Sequence, residues 1–208
     1  MNYAEEPIGE FLEAVASERV VPAGGTAAAI VGAAGAALCE MTCIHAEHPA
    51  VERPSAKAEL LSEAREDLRR ARVRLLQLGD ADAEAIEALR SVLKGVETDR
   101  EETTTEERRA TGVPLTIAKA CLSVLEAAEV AVELGADNAT PDAVTGVLLA
   151  ESALESALYI VRHNTEDLEN DSFAGTVRDR AAEIEAAAEG AIESALEAAD
   201  DSARTGKW

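Results

Sequence analysis

The chain has 208 residues, of which 47% are hydrophobic but only 2% aromatic, so any core must be assembled from many small side chains. Runs rich in Val, Ile, Thr and aromatics with two-residue alternation are scarce, which argues against sheet and for closely packed helices. The formal net charge is −22, from 41 acidic and 19 basic residues, and a surface of that sign excludes nucleic acid and anionic membranes as natural partners. The acid runs the whole length of the chain rather than forming a tail, which reads as adaptation to concentrated salt, where screening shortens to about 3 Å at 1 M.

In chain order, Glu5 to Glu18 reads as a short amphipathic helix with Ile8, Phe11, Leu12 and Val15 on its apolar face. The turn Val21-Pro22-Ala23-Gly24-Gly25-Thr26 follows, and its two glycines permit positive φ and close backbone approach. Helix resumes from Thr26 to about Ala46, with Ala29, Gly32, Ala33, Ala36 and Ala37 as a small-residue contact face. The uncharged run Val20 to Cys39 could just span a bilayer in length, yet its Ala/Gly content and Pro22 argue against an anchor. A turn over His48 to Pro54 ends this element.

Ser55 to Lys94 reads as one long helix, or two meeting near Gly79, with Leu61, Ala64, Leu68, Ala71, Leu75 and Leu78 on its apolar face. Thr98 to Thr105 reads as an exposed acidic loop. Helix returns from Glu106 to Leu134, bent or interrupted near Gly112 to Pro114. Gly135 lies where a C-cap is expected, and Thr140-Pro141-Asp142 supplies an N-cap, a first-position proline and an acidic first turn. The next helix runs to about Asn164, and an Ala/Glu-rich helix covers Gly175 to Ala203. With no repeat and no linker, residues 1–208 read as one all-α domain, a helical bundle with long antiparallel helices. Three cysteines and no export signal at the start fit a reduced, cytoplasmic setting.

Asp82 is the most informative residue. Leu75, Leu78, Ile86, Leu89 and Leu93 all lie within about 40° of it on a helix, so a carboxylate interrupts an apolar stripe. Burial raises a carboxyl pKa and equips it to trade protons near neutrality; from this feature alone the plainer account is a core Asp paired with an arginine, or a helix bending outward at Gly79. Asp80 points nearly opposite, toward solvent or a partner. The turn at Pro22, Gly24, Gly25 and Thr26 opens a helix whose first amides favour an anion or polar ligand edge.

Pro22-Ala-Gly-Gly-Thr26 before an Ala/Gly helix resembles the Pro-Gly-Gly-Gly-Ser signature of the formiminotransferase-cyclodeaminase family. Phe11-Leu12 with Val15-Ala16 resembles the family's opening helix. Asp80-Ala81-Asp82-Ala83 resembles its Asp-x-Asp-Ala motif, and Val113-Pro114-Leu115 its Val-Pro-Leu motif. Gly135 through Asp142 keeps the spacing of a Gly-Asn…Ser-Asp turn, and Val161 and Asn164 fall where Asn-Val-x-x-Asn stands. Ala23, Thr26, Ala136, Pro141 and Ile160 depart from the pattern, and Leu93-Lys94 keeps part of a Leu-Pro-Lys motif.

The resemblance implies a helical domain that dimerises and binds a tetrahydrofolate derivative near the Gly-rich turn and the Asp80/Asp82 pair. It implies Asp82, with Asp80, in general acid–base work, and Pro22, Gly24, Gly25, Thr26, Lys94, Asp142 and Asn164 as substrate contacts. Neither family reaction, methenyltetrahydrofolate hydrolysis or the ammonia-releasing cyclisation of formiminotetrahydrofolate, needs a metal or redox cofactor; hydrolysis is the preferred reading, because no formiminotransferase domain shares this chain. Two other classes compete: a metal site built on Cys39, Cys43, His45 and His48, and a non-catalytic interaction protein that keeps the scaffold.

Overall fold

A computed structural model describes residues 2–46, 56–95, 100–166, 168 and 172–204. Six α-helices follow one another: α1 (Ile8–Val15), α2 (Gly24–Ala46), α3 (Ala56–Leu93), α4 (Arg100–Leu134), α5 (Thr140–Glu166) and α6 (Ser172–Arg204), with one 3-10 turn, Asp137–Ala139, before α5. The described residues contain no strand.

The scarcity of large side chains dictates the packing. Helix α2 buries Gly25, Thr26, Ala28, Ala29, Gly32, Ala33, Gly35, Ala36, Cys39, Thr42 and Cys43, nearly its full circumference, and packs against α3, α4 and α5. Its approach to α5 is backbone to backbone. A Cβ on Gly35 would stand 2.6 Å from the Gly146 carbonyl oxygen, and one on Gly146 would stand 2.6 Å from Cys39 Sγ. Two helical stretches, Gly24–Ala46 and Asp137–Glu166, are long and apolar enough to cross a membrane; here they are the pair packed on each other.

Long α3 and α4 complete the bundle. Leu61, Ala64, Leu68, Ala71, Leu75 and Leu78 are buried, as their spacing requires, and a fully buried leucine contributes about 1.5–3 kcal/mol. Helix α3 continues through Gly79 without a break. Past Asp82 its stripe opens: Ile86 and Leu89 are half-buried and Leu93 is exposed.

Several local expectations fail for identifiable reasons. In α1 the covered face is Phe11 and Ala14, while Ile8, Leu12 and Val15 face outward. Helix α2 begins at Gly24 rather than Thr26, so both glycines are helical and neither has positive φ. Of the expected loop, residues 100–105 are the start of α4, and the Thr104 and Thr105 hydroxyls donate to the carbonyls of Arg100 and Glu101. Acidic Glu101 and Glu102 in this first turn also suit the positive end of the helix dipole. Thr140 does not cap; its hydroxyl donates to the Asp137 carbonyl at 3.0 Å. At Gly135 it is space that requires glycine, since a Cβ would lie 2.1 Å from the Ala131 oxygen. The turn expected over His48 to Pro54 lies outside the described residues.

Helix α4 runs unbroken through Pro114. Proline has no N–H for the carbonyl four residues back, here that of Ala110. The Asn164 side-chain amide from α5 donates to that carbonyl at 3.1 Å, so a neighbouring helix supplies the missing donor.

Candidate active site

The first turn of α2 crosses the C-terminal half of α3, and the crossing brings Gly25 and Thr26 onto Asp82. Asp82 is 2% exposed. The Thr26 hydroxyl, itself buried, donates to Asp82 Oδ2 at 2.9 Å. A Cβ on Gly25 would meet Oδ1 at 2.3 Å, Cγ at 2.7 Å and Oδ2 at 2.8 Å. Any side chain here would have to displace the carboxylate, which occupies its place.

The partner of Asp82 is therefore a hydroxyl, and among the described residues no arginine pairs with it. Burial pushes the Asp82 carboxyl above the ordinary carboxylate range, against hydrogen bonds from the Thr26 hydroxyl and backbone amide that favour the charged form. A carboxyl in that balance can accept and return a proton within one turnover.

Asp80 does something different. Its Oδ1 accepts the backbone N–H of Tyr3 at 2.9 Å, so it faces the N-terminal segment rather than open solvent. Nothing in the sequence marks Tyr3, which lies 77 residues away. Its ring meets Phe11 edge-on at 5.5 Å, and the two pack against Ala83.

The remaining candidates are dispersed. Pro22 is buried, and Gly24 is exposed with its Cβ position 3.5 Å from Ile160 Cδ1. Asn164, one turn beyond Ile160, stands at this end of the bundle, but its amide is engaged on Ala110. Lys94 is exposed, about 18 Å along α3 from Asp82. Asp142 is exposed beside Ala143, whose carbonyl accepts from Cys39 Sγ at 3.6 Å; Cys39 is about 21 Å along α2 from Gly25. The crossing thus gathers Pro22, Gly24, Gly25, Thr26, Asp80 and Asp82, and leaves Lys94 and Asp142 away from them.

Two cavities flank the turn. One of about 660 Å³ lies on the Pro22 side, with Tyr3, Arg19, Val21, Glu87 and Arg90 in its wall. Another of about 810 Å³ lies on the Gly24 side against Tyr159 and Ile160 of α5.

The cysteines belong to the core. Cys39, Cys43 and Cys121 are free and buried, and burial pushes the Cys39 and Cys121 thiols up to about 12, away from the thiolate a metal would take. His45 is exposed, His48 lies outside the described residues, and no three candidate ligands converge among the described residues.

A family model described as formiminotransferase-cyclodeaminase matches residues 7–183. The chain belongs to the formiminotransferase-cyclodeaminase family. A curated relative, the methenyltetrahydrofolate cyclohydrolase of Methylorubrum extorquens, is 32% identical over 188 residues, covering 86% of this chain and 88% of its own. The solved structure of formiminotetrahydrofolate cyclodeaminase from Thermotoga maritima matches with a TM-score of 0.86 at 22% identity, covering 95% of this chain and 98% of that one. At that identity the likeness is one of fold, and it extends the family's helical architecture to this member.

Proposed function

We propose that this chain hydrolyses methenyltetrahydrofolate to formyltetrahydrofolate, with Asp82 as the proton-transfer group. The observation that carries the reading is the 32% identity, over 86% of the chain, to a relative named for that activity. The buried Asp82–Thr26 pair supports it chemically.

Water adds to the one-carbon bridge and gives up a proton to the Asp82 carboxylate, leaving a neutral carbinol. The carbon–nitrogen bond to one of the two bridging nitrogens then breaks. Asp82 returns its proton to that nitrogen, and the hydroxyl proton departs to solvent as the formyl carbonyl forms. Thr26 holds the carboxylate in place by its hydrogen bond, and the small Gly25 lets it sit against the turn. No step calls for a redox group or a metal.

The reading places the enzyme in the cytoplasm as a homodimer. No charged residue stands between Val20 and Cys39, and Val31, Leu148 and Tyr159 are exposed on α2 and α5. The α2 side of that face offers two strongly acidic copies a surface without like charges. Sedimentation in high-salt buffer tests the dimer.

The activity test mixes the protein in high-salt buffer with methenyltetrahydrofolate and follows its near-ultraviolet absorbance. Acceleration over the uncatalysed rate supports the reading. Ammonia release from formiminotetrahydrofolate without such acceleration would assign the family's other reaction, and silence in both would leave a non-catalytic scaffold.

A further inference from the structure

Asp80 accepts the backbone N–H of Tyr3 through a side-chain oxygen, which ties the segment before α1 to α3 two residues from Asp82. The result is specific. Residues 2–5 fold into a turn closed by a Glu5 N–H to Asn2 carbonyl bond of 3.2 Å, and Tyr3 is 9% exposed. Tyr3 and Phe11 are two of only five aromatic residues in the chain, and they lie together on Ala83, next to Asp82.

The same turn bounds a cavity. Asn2, Tyr3 and Glu6 line one side of the 660 Å³ space, Val21 and Pro22 another, and Glu87 and Arg90 of α3 a third. Ala83, Glu87 and Arg90 recur at helical spacing, so this face of α3 begins beside Asp82. A space of this size suits a small organic ligand. The phenol of Tyr3 lies within the field of both carboxylates: burial raises its pKa, and the charges of Glu6, Asp80 and Asp82 raise it further.

We propose that the cavity beneath the N-terminal turn receives the folate, that Tyr3 forms its wall, and that Asp80 is a positioning residue which acts by anchoring Tyr3. The proposal rests on the folate reading above. It reassigns Asp80 from proton transfer to substrate positioning, and makes Asp82 the sole carboxylate of the pair to handle protons.

The test compares Asp80→Ala, Asp80→Asn and Tyr3→Ala with the wild-type chain, each checked for an intact thermal transition. Asp80→Ala removes the acceptor and should raise KM about tenfold with a smaller change in kcat, leaving the pH profile in place. Asp80→Asn retains an oxygen that can accept the Tyr3 N–H, and should recover most of that KM. Tyr3→Ala should repeat the KM rise. Hydrogen exchange should find the Tyr3 amide protected in the wild type and the Asn variant, and unprotected in the Ala variant.

An active wild type whose KM is indifferent to Asp80→Ala and Tyr3→Ala would overturn this inference alone. A kcat collapse shared by Asp80→Ala and Asp80→Asn would return Asp80 to proton transfer. A silent wild type would sink the folate reading and this inference with it.

Discussion

The Asp82 carboxylate lies against the α-carbon of Gly25, so that a Cβ added there would stand 2.3 Å from Oδ1. The contact links two features that lie far apart in the chain: a glycine pair at a helix start and an acid on an apolar stripe. Together they form a buried acid held by the Thr26 hydroxyl at 2.9 Å.

Gly25→Ala tests the contact. In an unconstrained helix alanine is favoured over glycine by about 1 kcal/mol, so a merely conformational glycine would yield a more stable variant. Here the added methyl must displace the carboxylate. We expect kcat/KM to fall about tenfold or more, some 1.4 kcal/mol of transition-state stabilisation, with no gain in melting temperature. Steady-state kinetics and a thermal melt decide it.

Asp82 also makes a stability prediction with a definite sign. Its pKa is raised from 3.8 in the folded state by burial, so the native chain holds this proton more tightly than the unfolded one. That contribution is full below the ordinary carboxylate value and is lost as pH rises through the raised folded value. Asp82→Asn has no charge to bury. Its melting temperature relative to wild type should therefore climb as pH rises from about 4 and level off once wild-type Asp82 is ionised. Paired melts over a pH series would show a flat or falling difference if the carboxyl were not destabilised by burial.

Asn164 and Pro114 form a second long-range pair, through the Ala110 carbonyl. Asn164→Ala leaves that buried carbonyl without a donor and should cost about 1–3 kcal/mol. Pro114→Ala restores the N–H that α4 lacks, so in that background the same Asn164→Ala change should cost clearly less. A double-mutant cycle by denaturant unfolding reads the coupling; additive losses would contradict it.

Much of this fold is legible in the sequence because long periodic stripes bury what their spacing says they bury, as Leu61 to Leu78 do in α3. Short or locally ambiguous segments are harder. α1 is amphipathic, yet which apolar side chains are covered depends on α3 and the N-terminal turn, and Phe11 wins over Ile8 and Leu12. The threonines at the start of α4 argue weakly against helix, and that weak propensity gives way because their hydroxyls bond within the helix.

The site divides the same way. Asp82 stands out as a carboxylate on an apolar face, and Gly25 and Thr26 as a turn before a helix. Their contact, and the tie between Asp80 and Tyr3, join residues 56 and 77 positions apart, a relation that local pattern does not carry. Asn164 is a further long-range relation of this kind: its side-chain amide donates to the Ala110 carbonyl.

The net charge of −22 predicts salt dependence. Self-repulsion acts over about 10 Å at 0.1 M salt and about 3 Å at 1 M. Raising KCl across that interval should raise the melting temperature; a fall would contradict adaptation to concentrated salt.

The most direct test of the central claim is the rate of methenyltetrahydrofolate hydrolysis by Asp82→Asn beside the wild type, both in high-salt buffer. Asparagine keeps the shape of the side chain and an oxygen for the Thr26 hydroxyl, and removes the charge and the proton exchange. The account predicts a folded variant whose kcat is lower by about 10²-fold or more, the scale of general acid–base catalysis. A folded Asp82→Asn enzyme with wild-type kcat would contradict it.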